Sequence, residues 1–277
     1  MDLFKGRGLR RAAEKGKQAG RRRRIVYAPV TFSEEAGVRY LHFGTEWIQG
    51  AMRLSSPDAI ELEYAQQMML GLLFVHAPRR VVQLGLGAAA LTKFCYRNLP
   101  DAAVTAVELN GDVVRAARSM FHLPDDDPRL TVLEEDAWDF VRDTENRGSI
   151  DLLQIDLYDA GARGPVLDSE EFYASCRACL REPGTLTVNL FGDHPSFRKN
   201  KKTLNAAFGG RVLVLPEVHQ GNRVAIAFAG PALEVSLADL YGRAKEIERH
   251  FDLPATAWVD GLRLSDSRHI RHERLRV

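Results

Sequence analysis

Cysteine is scarce: Cys95, Cys176 and Cys179 are the only three in 277 residues. Three thiols cannot form a disulfide framework, which points to a reducing compartment, the cytoplasm. Cys176 and Cys179, in "CRAC", have the gap of a zinc ligand pair, but no second pair follows. The pattern around them is helical, so the expectation is buried helix cysteines and no metal. No apolar run is long enough to span a bilayer, so no membrane partner is expected. Residues 1–24 lack the apolar core of a secretory signal.

Net charge is almost absent too, at +1, but it is unevenly spread. Residues 1–24 carry ten Lys or Arg against Asp2 and Glu14, a net +8, which leaves about −7 for the rest. Such a head can touch nucleic acid or an acidic membrane. With little apolar surface to bury it is expected to be a flexible, solvated tail, and nucleic acid is not an expected partner.

The rest of the chain alternates. "RIVYAPVTFSEEAGVRYLHFG" and "TEWIQGAMRL" read as a small antiparallel sheet. "SPDAIELEYAQQMMLGLLFVH" reads as one helix with Ile60, Tyr64, Met68 and Leu72 on a stripe, ended by Pro78. Strands and helices then alternate to about residue 230, and the last strand pair is short enough in its connection to be a hairpin. This predicts an α/β fold, a Rossmann-like doubly wound sheet of the S-adenosylmethionine-dependent methyltransferase type, with a small N-terminal antiparallel sheet. The expected divisions are a tail at 1–24, the β-sheet subdomain at 25–56 and the adenosyl-binding catalytic domain at 57–235. A C-terminal helix and a solvated basic tail follow at 236–277.

In such a sheet, ligands bind at the carboxyl ends of the strands. Gly85 and Gly87, in "LGLGAAAL", end the first central strand, where backbone can approach a ligand closely. With Ala90 as a third small residue, the loop alone does not separate nicotinamide from adenosyl ligands. Glu108 ends the second strand, where a carboxylate can accept both ribose hydroxyls. Asp136 falls just past the third strand, placed to grip an adenine amino group; it is also a good N-cap for the helix "AWDFVRD". Together the three features point to an adenosyl-sulfonium ligand. Asp156 and Asp159 follow the fourth strand, at the ligand crevice, where either could also cap a turn.

The stretch "IDLLQIDLYDAGARGPVLDSEEFY" resembles the polyamine aminopropyltransferases, the spermidine synthase family. The resemblance covers about residues 25–230. In that family the loop reads Asp-Ser-Ser-Asp-Pro, then Gly-Pro, then a Phe-Tyr helix. The resemblance implies transfer of an aminopropyl group from decarboxylated S-adenosylmethionine to an amine, without a metal. It implies that Asp156 is the base that orients the attacking nitrogen, Asp159 the second acid, and Gln49 a residue near the cofactor. It also implies that "AGARGPVLD" closes over the substrates, and that the protein is a homodimer or homotetramer. Asn189 could line the acceptor pocket or serve a turn, and Trp47 and Tyr158 could border the substrate or simply pack.

Two departures stand out. Where the family carries Gly-Gly-Gly-Asp-Gly-Gly, this chain has Ala88 at the aspartate and Ala89 and Ala90 after it. Where the family carries Tyr-His-Glu, Tyr64 is kept but Ala65 and Gln66 follow. Losing a carboxylate that holds an ammonium costs about 1.5–3 kcal/mol. Three readings stay open: aminopropyl transfer to an unusual amine, methyl transfer from intact S-adenosylmethionine, and a nucleoside-binding homologue without catalysis.

Overall fold

A computed structural model describes residues 27–159, 164–192, 194–219 and 221–277. The basic head at 1–24 and residues 160–163 of the expected closing loop lie outside them. β1 (Val30–Glu35), β2 (Val38–Phe43) and β3 (Ile48–Arg53) form an antiparallel sheet, in that order. Ala36 and Gly37 both sit at positive φ, which gives the tight turn a twist matching that of its strands.

The helix expected at 56–76 is shorter than its periodicity suggests. Only α1 (Glu63–Gln67) is α-helical, and Met68–Leu73 is a tighter 3-10 segment. Met68 O also accepts from Gln154 Nε2 and Thr187 Oγ1, both at 3.0 Å, so side chains of the later strands β7 (Ile150–Ile155) and β8 (Leu180–Phe191) hold this turn of backbone. All six residues of the 3-10 segment are buried, so it is core packing that fixes it.

The chain then runs β4 (Arg80–Leu84), α2 (Ala90–Asn98), β5 (Ala103–Glu108), α3 (Gly111–Met120), β6 (Leu130–Glu134) and α4 (Ala137–Arg142). It continues through β7 (Ile150–Ile155), α5 (Glu170–Cys179), β8 (Leu180–Phe191), α6 (Ser196–Ala207), β9 (Val212–Val214) and β10 (Asn222–Ala229). These seven strands make one sheet in the order β6-β5-β4-β7-β8-β10-β9. β10 is antiparallel to both neighbours, as the short connection predicts; the other pairs are parallel. Alternation divides the core: Val81 and Leu152 pack in one cluster, and Val82, Leu84, Leu153 and Ile155 in another. Cys176 and Cys179 are buried on α5, and burial raises both thiol pKa values, that of Cys179 to about 11.

The C-terminal region corrects the expectation of a solvated basic end. Two helices, α7 (Leu237–Phe251) and α8 (Ala255–Ser265), bury Ile247, Trp258 and Leu262 in the first cluster. β11 (Glu234–Ser236), β12 (Ile270–Arg271) and β13 (Arg274–Arg276) form a third sheet. The basic residues of "HIRHERLRV" alternate with apolar ones, so Leu275 points inward while Arg274 and Arg276 donate to Glu234. A strand's period of two puts high charge and a buried side chain on the same short segment. Among the described residues, no helix is long and apolar enough to cross a membrane.

One buried cation ties these parts together. Lys93, on α2, is 1% exposed and donates to Pro57 O at 2.5 Å and Phe121 O at 2.7 Å. Burial lowers its pKa from 10.5 to about 8, against an opposing pull from Asp58. Between those values the unfolded chain binds more protons than the folded one, so this group's contribution to stability rises with pH across the window. Denaturant unfolding at pH 8, 9 and 10 should show wild-type stability gaining on Lys93→Met, by up to about 1.4 kcal/mol per pH unit. Parallel pH dependences would show that the lysine is not desolvated.

Candidate active site

The strand order reverses between β4 and β7: the chain first builds outward through β5 and β6, then returns to β4's other side. That reversal opens a crevice at the strands' carboxyl ends. A cavity of about 690 Å³ lies there, walled by the ends of β4, β5, β7 and β8 and by the N-terminal sheet.

Gly85 follows β4 at φ +95°, and its N–H donates to Val107 O. A Cβ here would run into the carbonyl oxygen of Asp156, so only glycine lets the two loops cross. Gly87, at φ +51°, faces Gln49 O in the same way, with a would-be Cβ at 2.9 Å. The glycine loop is therefore pressed between the fourth-strand loop and the N-terminal sheet. Gln49 Nε2 donates to the Asp159 carbonyl at 3.3 Å, which ties that sheet to the far side of the cavity.

Glu108 stands at the end of β5. Oε2 accepts from Leu86 N at 3.1 Å and Oε1 from Asn110 N at 2.8 Å. Burial raises its pKa, and these backbone donors pull it back down. The carboxylate is thus fixed in orientation while both oxygens retain acceptor capacity. Asp136 lines the same cavity, and its Oδ1 caps α4 by accepting from Trp138 N at 2.8 Å. Capping and facing the ligand are compatible for this residue, because the cap uses one oxygen.

Asp156 is the centre of a hydrogen-bonded network. Oδ2 accepts from Tyr64 OH at 3.3 Å and Oδ1 from Asn189 Nδ2 at 2.9 Å. Asn189 Oδ1 in turn accepts from Asn222 Nδ2 at 2.9 Å. Burial raises the Asp156 pKa, while the Asn189 and Tyr64 donors lower it. Burial and the Asp156 charge hold both Tyr64 and Tyr158 well above the ordinary phenol value, so both stay neutral donors. Tyr158 OH donates to Asn189 O at 3.4 Å. Asp159 is exposed at the mouth, next to the undescribed residues. Trp47, 53% exposed, meets Phe191 edge-on at 6.4 Å across the same opening.

The sequence-selected residues Gln49, Tyr64, Gly85, Gly87, Glu108, Asp136, Asp156, Tyr158 and Asp159 all line this one cavity. The two departures meet as well. Ala65 and Ala88 border a single small void of about 30 Å³ next to Tyr64 and Asp156. Ala88 lies so close to Gly50 that a Cβ there would stand 2.7 Å from its own. Gln66 instead donates to Ile60 O. Sequence reasoning missed Asn222, Glu46 and Phe191, which reach the cavity through strand pairing and the β2–β3 connection.

The architecture is a Rossmann-like doubly wound sheet with a small N-terminal antiparallel sheet. It is shared with a probable spermidine synthase from Corynebacterium glutamicum, at a TM-score of 0.66 and 21% identity, over 84% of this chain and 91% of that one. It is shared too with human methyltransferase-like protein 13 in complex with SAH, at a TM-score of 0.61 and 20% identity, over 69% and 93%. Those likenesses show the fold. Residues 91–202 match the spermine/spermidine synthase domain. The polyamine aminopropyltransferase of Chromobacterium violaceum is 32% identical over 243 residues, 88% of this chain and 92% of the relative. That of Neisseria meningitidis serogroup A is 30% identical over 247 residues, 89% and 93%. The chain belongs to the polyamine aminopropyltransferase, or spermine/spermidine synthase, family.

Proposed function

We propose that this protein is a transferase that moves an aminopropyl group from decarboxylated S-adenosylmethionine to a small cationic amine. One observation carries the choice of donor. Six acids line the cavity, namely Glu46, Glu108, Glu135, Asp136, Asp156 and Asp159, and no Lys, Arg or His does so among the described residues. A carboxylate brought into such a site meets like charge without a charged partner, which is costly where water is partly excluded. Intact S-adenosylmethionine carries that carboxylate; the decarboxylated donor carries only cationic groups. The amine acceptor is cationic as well, so both substrates match the field of the cavity.

Glu108 holds the ribose hydroxyls through two preset oxygens, and Asp136 lies beside the base. Asp156 takes a proton from the acceptor nitrogen, whose lone pair then forms a bond to the carbon next to sulfur. The carbon–sulfur bond breaks, and sulfur keeps the electron pair as a neutral thioether. Asp156 suits this role because burial raises its proton affinity, while the Asn189 and Tyr64 donors favour its charged form. Tyr64 and Asn189 leave it one orientation. Such an organised base also speaks against a lapsed, purely binding homologue. Asp159 and Glu46, at the mouth, attract the amine, and Trp47 and Phe191 offer its methylene chain an apolar face. The scarcity of cysteine supports a cytoplasmic setting, and the resemblance to the family supports a homodimer or homotetramer.

Calorimetry with each donor tests the choice. The decarboxylated form should bind at least about tenfold tighter than S-adenosylmethionine, the equivalent of one charge-assisted contact. Equal or reversed affinities would favour methyl transfer.

A further inference from the structure

The orientation of the Asn189 amide that donates to Asp156 is set by a second amide, that of Asn222, two strands away. Asn189, 2% exposed on β8, has two faces: one toward Asp156, the other toward Asn222 on β10. An ionised carboxylate only accepts, so Nδ2 of Asn189 must face it and Oδ1 must face Asn222. Asn222 satisfies that oxygen with its own Nδ2 at 2.9 Å. Were Asn189 to flip, its oxygen would face a carboxylate oxygen at hydrogen-bond distance, an arrangement tolerable only when Asp156 is protonated. Asn222 opposes the flip, because its donor would then face the Asn189 amide N–H₂.

We propose that Asn222 is a positioning residue for the transfer reaction: by fixing the Asn189 amide, it keeps Asp156 ionised and aimed at the acceptor nitrogen. The proposal rests on the reading of Asp156 as the base. Tyr158, an aromatic wall of the cavity, donates to the backbone oxygen of the same Asn189. The ionisable groups facing Asp156 are Tyr64 from α1 and Tyr158 from the loop after β7, both held neutral. Glu46, Glu108 and Asp159 share the cavity, and no cation among the described lining residues could substitute for the lost donor.

Two variants of nearly equal size separate direction from packing. Asn222→Leu removes the donor, and Asn222→Asp replaces it with an acceptor that repels Asn189 Oδ1 and favours the flip. The acid limb of kcat/KM should move to higher pH in the order wild type, Leu, Asp, by about one unit or more for Asp. Activity should recover toward the wild-type value above the shifted limb. A loss independent of pH would reduce Asn222 to a structural residue and overturn the proposal.

Carbon-13 NMR of the Asp156 carboxyl should report the same order without turnover. That titration keeps the two readings apart: normal turnover of Asp156→Asn would sink the base and the positioning role with it, whereas an unshifted carboxyl alongside lost turnover of Asp156→Asn would sink the positioning alone. Should either variant fail to fold, side-chain amide NMR of the unaltered protein decides. The Asn222 Nδ2 resonance should titrate with the Asp156 midpoint and become pH-flat in Asp156→Asn. An Asn222 amide silent through the Asp156 titration contradicts the proposal.

Discussion

Asp156→Asn is expected to lower kcat by at least about 10²-fold, the contribution general bases usually make. Cofactor affinity should change little, because the residues proposed to hold the nucleoside, Glu108 and the glycine loop, lie on the opposite side of the switch point. The substitution suits the site: an asparagine can still accept from Asn189 through its oxygen, and the volume is conserved. What disappears is the basic oxygen. The wild-type enzyme should show an acid limb above the ordinary carboxylate range, since burial, the largest influence on Asp156, raises its pKa. Normal turnover of the variant would rule out this mechanism, whatever the fold.

Glu108→Ala should weaken binding of methylthioadenosine by at least about a hundredfold. Two charge-assisted bonds to the ribose would be lost, each worth about 1.5–3 kcal/mol. The loss reaches further than the ligand. Glu108 also receives Leu86 N and Asn110 N, so its removal releases the glycine loop on one side and the start of α3 on the other. Calorimetry should therefore show a weaker affinity together with a lower melting temperature. Unchanged affinity would remove the adenosyl assignment.

Local signals made much of this site legible in the sequence. β4, β5 and β7 are short buried runs that end in glycine or an acid, so Gly85, Glu108 and Asp156 could be placed at strand ends before any coordinates. Position alone points to ligand contact at those ends; the role of base for Asp156 comes from the resemblance to the family. Residues delivered by non-local pairing stayed hidden. Asn222 opens an unremarkable apolar strand, and only its register, opposite Phe191 on β8, brings its amide to Asn189. Ala65 and Ala88 were visible as two separate departures, 23 positions apart, but not as neighbours of one void. The end of the chain misled for a related reason: its charge density hid a period of two, and a sheet partner at Glu234 lay some 40 residues away.

The measurement closest to the central claim is product analysis. The full chain is incubated with decarboxylated S-adenosylmethionine, or with the intact donor, and a panel of small diamines, and the products are separated by mass. The account predicts methylthioadenosine in equal amount with an amine enlarged by one aminopropyl group, from the decarboxylated donor alone. S-adenosylhomocysteine and a methylated amine from the intact donor, with no methylthioadenosine, would contradict it.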